Sequence, residues 1–278
     1  MKTLFVTDLD GTLLTKEERV SEYSREKLNR MIERGLMFTY ATARSYESAQ
    51  KAVAGLELNI PVVLYNGGLI YHPKTGQTLH AVLFNDEDKS YIYSVLRAHN
   101  IQPFVFGVTS DRSRERVSWI SGSESIGMQR YLLRRKDDTR IVSAQNETEL
   151  LSGSVFYFKC IGPQSTLERA WNDLKLDSRY ICIYHQETYQ SDFWMEISPR
   201  EATKANGVKK IKEITGCDRV VCFGDSSNDS DMFDVCDEKY AVMNADEWLK
   251  QKSTGIIGYC EEDGVVKWLE KNSGFGDV

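Results

Sequence analysis

The sequence predicts an α/β protein, with a doubly wound parallel-sheet core of the Rossmann-like kind and a smaller α+β domain inserted into it. Three observations predict this. Short apolar strands alternate with amphipathic helices over roughly the first 80 residues. The same alternation resumes near residue 190 and continues to the final helix. Between them the texture changes to short aromatic and β-branched segments with polar alternation. The expected boundaries are a discontinuous core of residues 1–81 and 190–278, with the insertion at 82–189.

The elements follow in order. Leu4 to Val6 reads as a core strand. Ser24 can cap a helix whose apolar positions include Leu28, Met31 and Ile32, with Gly35 as its stop. Leu36 to Tyr40 is a second strand, a helix spans about 45–54, and "PVVLYNGG" supplies a third strand ending at Asn66, Gly67 and Gly68. In the insertion, "PFVFGV", "RVSWIS", "SVFYFKCIG" and "YICIYHQ" are strands, interleaved with helices near 86–98 and 164–175. Beyond it, "TKANGVKKIKEITG" is a helix with Val208, Ile211 and Ile214 inward and Gly216 as its stop. "RVVCFGDSSND" is a buried strand entering a polar loop; a short helix near Met232, a strand at "YAVM" and an amphipathic helix with Val265, Val266 and Leu269 complete the rhythm.

Composition narrows the function. The chain has 278 residues, 41% hydrophobic and 27% charged, an ordinary balance for a soluble globular protein. A net charge of −6 with scattered acids argues against a nucleic-acid partner, and the basic run at Arg134, Arg135 and Lys136 is offset by Asp137 and Asp138. No apolar run approaches the ~20 residues of a membrane span, and no long apolar signal segment precedes the first charges. The six cysteines lack CxxC spacing and several sit in apolar runs, which fits a reducing, cytoplasmic compartment. The four histidines are isolated in sequence. The oligomeric state is not legible.

"LFVTDLDGTLLT" raises the chemical question, because Asp8 and Asp10 close a core strand two residues apart. Burying carboxylates is unfavourable, and two close together repel. Three apolar runs end in polar residues: Leu4–Val6 at Asp8 and Asp10, Leu36–Tyr40 at Thr42, Val220–Phe223 at Asp225. Lys204 lies near a helix start. In a doubly wound sheet the ligand lies beyond the carboxyl ends of the strands, so these groups are expected to meet. Asp8, Asp10 and Asp225 would need a hard divalent cation, and carboxylate and water oxygens suit Mg²⁺. Thr42, Lys204 and Asn228 can all donate hydrogen bonds, the environment of a phosphate. A lone DxD is usually a surface turn, and "GDSSND" alone could be an Asp-capped turn. An EF-hand fails because Gly11 comes too early, and neither a P-loop nor a GxGxxG is present. The joint occurrence, in order, carries the reading.

"DLDGTLL", "ATARS", Lys204 and "GDSSND" resemble the four motifs of the haloacid dehalogenase superfamily. "YNGGLIY", "YAVMNA" and "DGVVKWL" are similar to its Cof-type hydrolase branch, with a type IIB cap. The resemblance implies a Mg²⁺-dependent phosphatase acting on a small phosphorylated metabolite, in particular a sugar phosphate. Asp8 would be the nucleophile that becomes an aspartyl-phosphate, and Asp10 the general acid and then base. It further implies Leu9, Thr42, Ala43, Lys204 and Asn228 at the phosphate, metal ligation by Asp8, Asp10 and Asp225, and Asp229 close behind. Ala43 stands where the branch usually has glycine. The cap would select the alcohol. The rival readings are a phosphomutase or phosphotransferase, and a phospho-ligand sensor without turnover.

Overall fold

The computed structural model describes residues 1–109, 114–186 and 192–276. The chain forms two compact units, one of residues 1–80 with 201–278 and one of residues 81–200. In chain order come β1 (Thr3–Thr7), α1 (Glu22–Glu33), β2 (Met37–Tyr40), α2 (Tyr46–Ala52), β3 (Val62–Leu64), β4 (Leu69–His72) and β5 (Gln77–Ala81). The second unit contains α3 (Asp86–Ala98), β6 (Pro103–Val108), β7 (Glu115–Ile120), α4 (Ile126–Arg134) and β8 (Ile141–Ala144). It continues with α5 (Glu147–Leu150), β9 (Ser154–Gly162), α6 (Gln164–Leu174), β10 (Tyr180–Gln186) and β11 (Phe193–Pro199). The chain then returns through α7 (Lys204–Thr215), β12 (Arg219–Gly224), α8 (Ser230–Val235), β13 (Glu238–Val242), α9 (Glu247–Lys252), β14 (Gly255–Ile257) and α10 (Gly264–Asn272).

The first unit is built on a parallel sheet ordered β14-β13-β12-β1-β2. A parallel bridge from Ala41 to Val63 carries the order on to β3. Leu4, Phe5 and Val6 are all buried although neighbours on a strand point to opposite faces, so both faces of β1 are covered. Trp268 of α10 covers one face, with its ring centroid 5.2 Å from that of Phe223 and 6.4 Å from that of Phe5. β3, β4 and β5 form a three-stranded sheet that the sequence reading did not resolve beyond its first strand.

Two local expectations shift. α1 begins at Ser21 rather than Ser24, because the Ser24 amide donates to Ser21 Oγ at 2.9 Å and the Ser24 hydroxyl is spent on Asp263 at 2.8 Å. In α7, Val208 and Ile211 are buried but Ile214 is 42% exposed. Successive steps of three residues rotate by about 60° around the 3.6-residue helix, which carries Ile214 off the apolar stripe. Gly216 does end α7, at φ 63°, and Gly35 follows α1 at φ 103°.

The second unit has a six-stranded sheet ordered β10-β11-β9-β6-β7-β8, antiparallel except for the parallel pair β7–β8. Ile92 and Leu96 of α3 and Leu167 and Leu174 of α6 join Phe158, Met195 and Ile197 in one apolar cluster. Each such fully buried side chain contributes about 1.5–3 kcal/mol. The second crossing of the chain falls after Arg200, not after residue 189. The reason is that β11 pairs with both β9 and β10, with Met195 opposite Cys160 and Tyr184. Among the described residues no helix is long and apolar enough to cross a membrane, and all six cysteines are free thiols.

Candidate active site

The site is built where β1, β2 and β12 end. The Asp8 amide donates to the Phe223 carbonyl at 2.9 Å, continuing the β1–β12 pairing one residue past β1. Residues Leu9–Leu13 then make one wide turn, closed by the Leu14 amide on the Leu9 carbonyl at 2.9 Å. Gly11 permits the turn. Its φ is 75°, and a Cβ there would stand 2.3 Å from Asp225 Oδ2.

Lys204, the first residue of α7, joins the two acidic segments. Its ammonium donates to Asp8 Oδ1 at 2.6 Å and to Asp229 Oδ1 at 2.7 Å. The Lys204 and Asp229 side chains are 0% exposed and that of Asp8 is 4% exposed. The other Asp229 oxygen accepts from the amides of Asp225 (3.0 Å) and Ser226 (3.3 Å), which fixes the loop after β12. Thr12 Oγ1 donates to Asp225 Oδ1 at 3.2 Å. One oxygen each of Asp8, Asp225 and Asp229 lie within 4.8 Å of one another.

The electrostatics follow from burial. Desolvation pushes the Asp8 carboxyl well above the usual carboxylate range, and Asp229 adds to the rise while Lys204 opposes it. Desolvation, then Asp229, lift Asp225 to about 6. Burial alone would lower the Lys204 pKa, but Asp229 and Asp8 outweigh it and hold the ammonium charged. Were all three carboxylates ionised they would outnumber the one ammonium by two negative charges, an excess that a divalent cation would offset and that otherwise favours protonation. The donor set is all oxygen, with no cysteine or histidine in the group, so a hard metal ion suits it.

The remaining predicted residues divide. Thr42 is fully buried just after β2, and its hydroxyl accepts from the Arg44 amide at 3.2 Å. Leu9 is fully buried and Ala43 is exposed. Asn228 is exposed on the loop after β12, with Oδ1 accepting from Ser226 Oγ at 2.8 Å. The Asp10 carboxylate, expected at the metal, lies outside the acidic group. Its two oxygens accept from Arg44 at 2.8 Å and 2.5 Å instead, and Asp229 takes the third place among the carboxylates. The turn puts Gly11 rather than Asp10 against Asp225, which accounts for the exchange.

Several contributors were not singled out from sequence. Arg44 and Thr12 lie inside the quoted motifs but had no role assigned. Asn244 Nδ2 donates to the Gly11 carbonyl at 2.7 Å while its Oδ1 accepts from the Cys260 amide at 3.0 Å, bracing the turn. Tyr65 and Asn66 adopt φ of 50° and 51°, and the Asn66 amide donates to the Thr42 carbonyl at 2.9 Å. Among the described residues, the buried Asn66 Oδ1 finds no donor.

An acidic group bridged by one lysine, beyond the carboxyl ends of a parallel sheet, defines an α/β enzyme of the doubly wound class with a metal-type site. The family is equally plain: residues 5–269 match the haloacid dehalogenase-like hydrolases, and the chain belongs to that family. It is 26% identical over 286 residues to the 5-amino-6-(5-phospho-D-ribitylamino)uracil phosphatase YwtE of Bacillus subtilis, covering 95% of this chain and 96% of that protein. It is 25% identical over 275 residues to the HMP-PP phosphatase of Serratia proteamaculans, covering 97% and 95%. The crystal structure of a haloacid dehalogenase-like hydrolase from Bacteroides thetaiotaomicron shares the fold, with a TM-score of 0.77 at 21% identity over 98% of this chain and 99% of that one.

Proposed function

We propose that the chain hydrolyses the phosphate monoester of a small metabolite, a sugar or polyol phosphate, through an aspartyl-phosphate on Asp8 with Mg²⁺ as the resident ion. It is a phosphoric monoester hydrolase of the haloacid dehalogenase-like family. The observation that carries the mechanism is the Lys204 ammonium shared between Asp8 and Asp229 beside Asp225. A buried carboxylate gripped by one oxygen cannot rotate away, so Asp8 is aimed as a nucleophile requires.

In the first step an Asp8 oxygen attacks phosphorus, the bond to the leaving oxygen breaks, and Asp10 gives that oxygen a proton. In the second, water attacks the same phosphorus, the bond to Asp8 breaks, and Asp10 takes the water proton. Lys204 and Thr42 hold the phosphoryl oxygens, and the backbone of Leu9 and Ala43 with the Asn228 amide completes the cradle. Asp8, Asp225 and Asp229 would hold Mg²⁺ between them. Bound there, the ion supplies charge neutralisation that lets an anionic carboxylate approach an anionic phosphate. The ribityl phosphate in the name of the Bacillus subtilis relative supports a polyol phosphate as substrate.

The test is a phosphate-release screen over phosphorylated metabolites with added Mg²⁺, run on wild type and Asp8→Asn. Turnover of sugar or polyol phosphates by wild type alone is expected. Equal turnover by Asp8→Asn, with deamidation back to Asp excluded, would refute the nucleophile.

A further inference from the structure

Arg44 stands in the same loop as Thr42 and is held by its backbone at both ends. Its amide donates to Thr42 Oγ1 at 3.2 Å, and its carbonyl accepts from the Tyr65 amide at 3.2 Å. The guanidinium makes a two-pronged contact with Asp10: Nε donates to Oδ2 at 2.8 Å and Nη2 to Oδ1 at 2.5 Å. Nη2 also meets Glu18 Oε2 at 2.9 Å. Glu18 reaches it from a left-handed backbone, φ 55°, a conformation that a side-chain-bearing residue adopts only when its surroundings impose it. The Asp10 side chain is 52% exposed, so this pairing holds it where close packing does not, whereas the Arg44 side chain is only 16% exposed.

We infer that Arg44, backed by Glu18, is a positioning residue that holds Asp10 as the proton acceptor of the second half-reaction. The inference rests on the reading of Asp8 as nucleophile and Asp10 as acid–base group. A planar fork that donates to both oxygens fixes the plane of a carboxylate and leaves the remaining lone pairs as acceptors. That is the form needed when water attacks the aspartyl-phosphate: the phosphorus–Asp8 bond breaks, inorganic phosphate forms, and the water proton passes to Asp10. Asp10 then carries the proton that the next leaving oxygen receives.

Stopped-flow kinetics with p-nitrophenyl phosphate isolate this half-reaction, because p-nitrophenolate leaves without needing a proton. Arg44→Ala should keep the initial burst and lower the steady-state rate by about 10- to 100-fold, less than the 10²–10⁴-fold attached to an acid–base group itself. Phosphoenzyme trapped by acid quench should accumulate, and added guanidinium should restore part of the rate. Arg44→Lys, which keeps the charge but not the fork, and Glu18→Gln should give smaller losses in the same sense. A slower burst with raised KM and no accumulated phosphoenzyme would make Arg44 a substrate ligand and overturn the inference. Asp10→Asn is measured alongside: if it too fails to accumulate phosphoenzyme, the acid–base reading falls, and if it alone accumulates, only the role of Arg44 falls.

Discussion

Lys204 and Asp8 lie 196 residues apart in sequence and meet at 2.6 Å, with neither side chain more than 4% exposed. The contact ties the start of α7 to the end of β1, and Asp229 shares the same ammonium. Removing one partner of a buried ion pair strands the other, at about 3–5 kcal/mol. Lys204→Met should lose stability of that order in urea denaturation of the chelated protein at neutral pH. Desolvation and Asp229 already raise the Asp8 pKa, and Lys204 is what opposes the rise. Without it the stranded carboxyl is relieved by taking a proton, so the deficit should be smaller at acidic pH than at alkaline pH. A deficit independent of pH would mean that Asp8 does not carry the cost.

Asp225 gives the metal a pH signature. Its carboxyl is raised from 3.8 to about 6 by desolvation and Asp229. A carboxyl with a raised folded pKa disfavours the metal-free fold as pH climbs from the unfolded value to the folded one. Below about 6 a proton occupies the place a cation would take; above it the carboxylate is free to bind. Melting curves with and without Mg²⁺ should therefore show a stabilisation that grows through this range. It should approach about 2.7 kcal/mol when free metal reaches a hundred times its Kd. Asp225→Asn should lose most of the increment, and a constant increment at all pH values would place the metal elsewhere.

Gly11 separates backbone strain from site geometry. Gly11→Ala puts a methyl 2.3 Å from Asp225 Oδ2 on a backbone at φ 75°. It should cost about 1–3 kcal/mol and also raise the Mg²⁺ concentration needed for activity, because Asp225 must move. Gly274→Ala, at φ 81° with nothing within 4 Å, should carry a conformational cost alone and leave the metal requirement unchanged. Equal metal requirements in both variants would uncouple Gly11 from Asp225.

Much of this was legible in the sequence, for reasons that particular residues make clear. Buried parallel strands read as unbroken apolar runs, so Leu4–Val6 and Val220–Phe223 could be placed, and with them the carboxylates at their ends. Asp8, Lys204, Asp225 and Asp229 do come together. The position of Asp10 was not legible, because a single glycine φ decides which side of the turn faces Asp225. The Arg44 guanidinium also meets Glu18, whose left-handed backbone leaves no mark in composition or spacing. A boundary at residue 190 puts Phe193–Pro199 with the core, whereas its pairing with β9 and β10 makes it a strand of the other sheet, a long-range partnership that composition does not reveal.

The central claim is that phosphorus is attacked twice, first by Asp8 and then by water. The stereochemical course at phosphorus tests it most directly, using an aryl phosphorothioate made chiral with oxygen isotopes and hydrolysed in isotopically labelled water. Each in-line displacement inverts the centre, so the two-step route through Asp8 predicts net retention of configuration. Net inversion would show that water attacks the substrate directly, and would contradict the covalent role of Asp8.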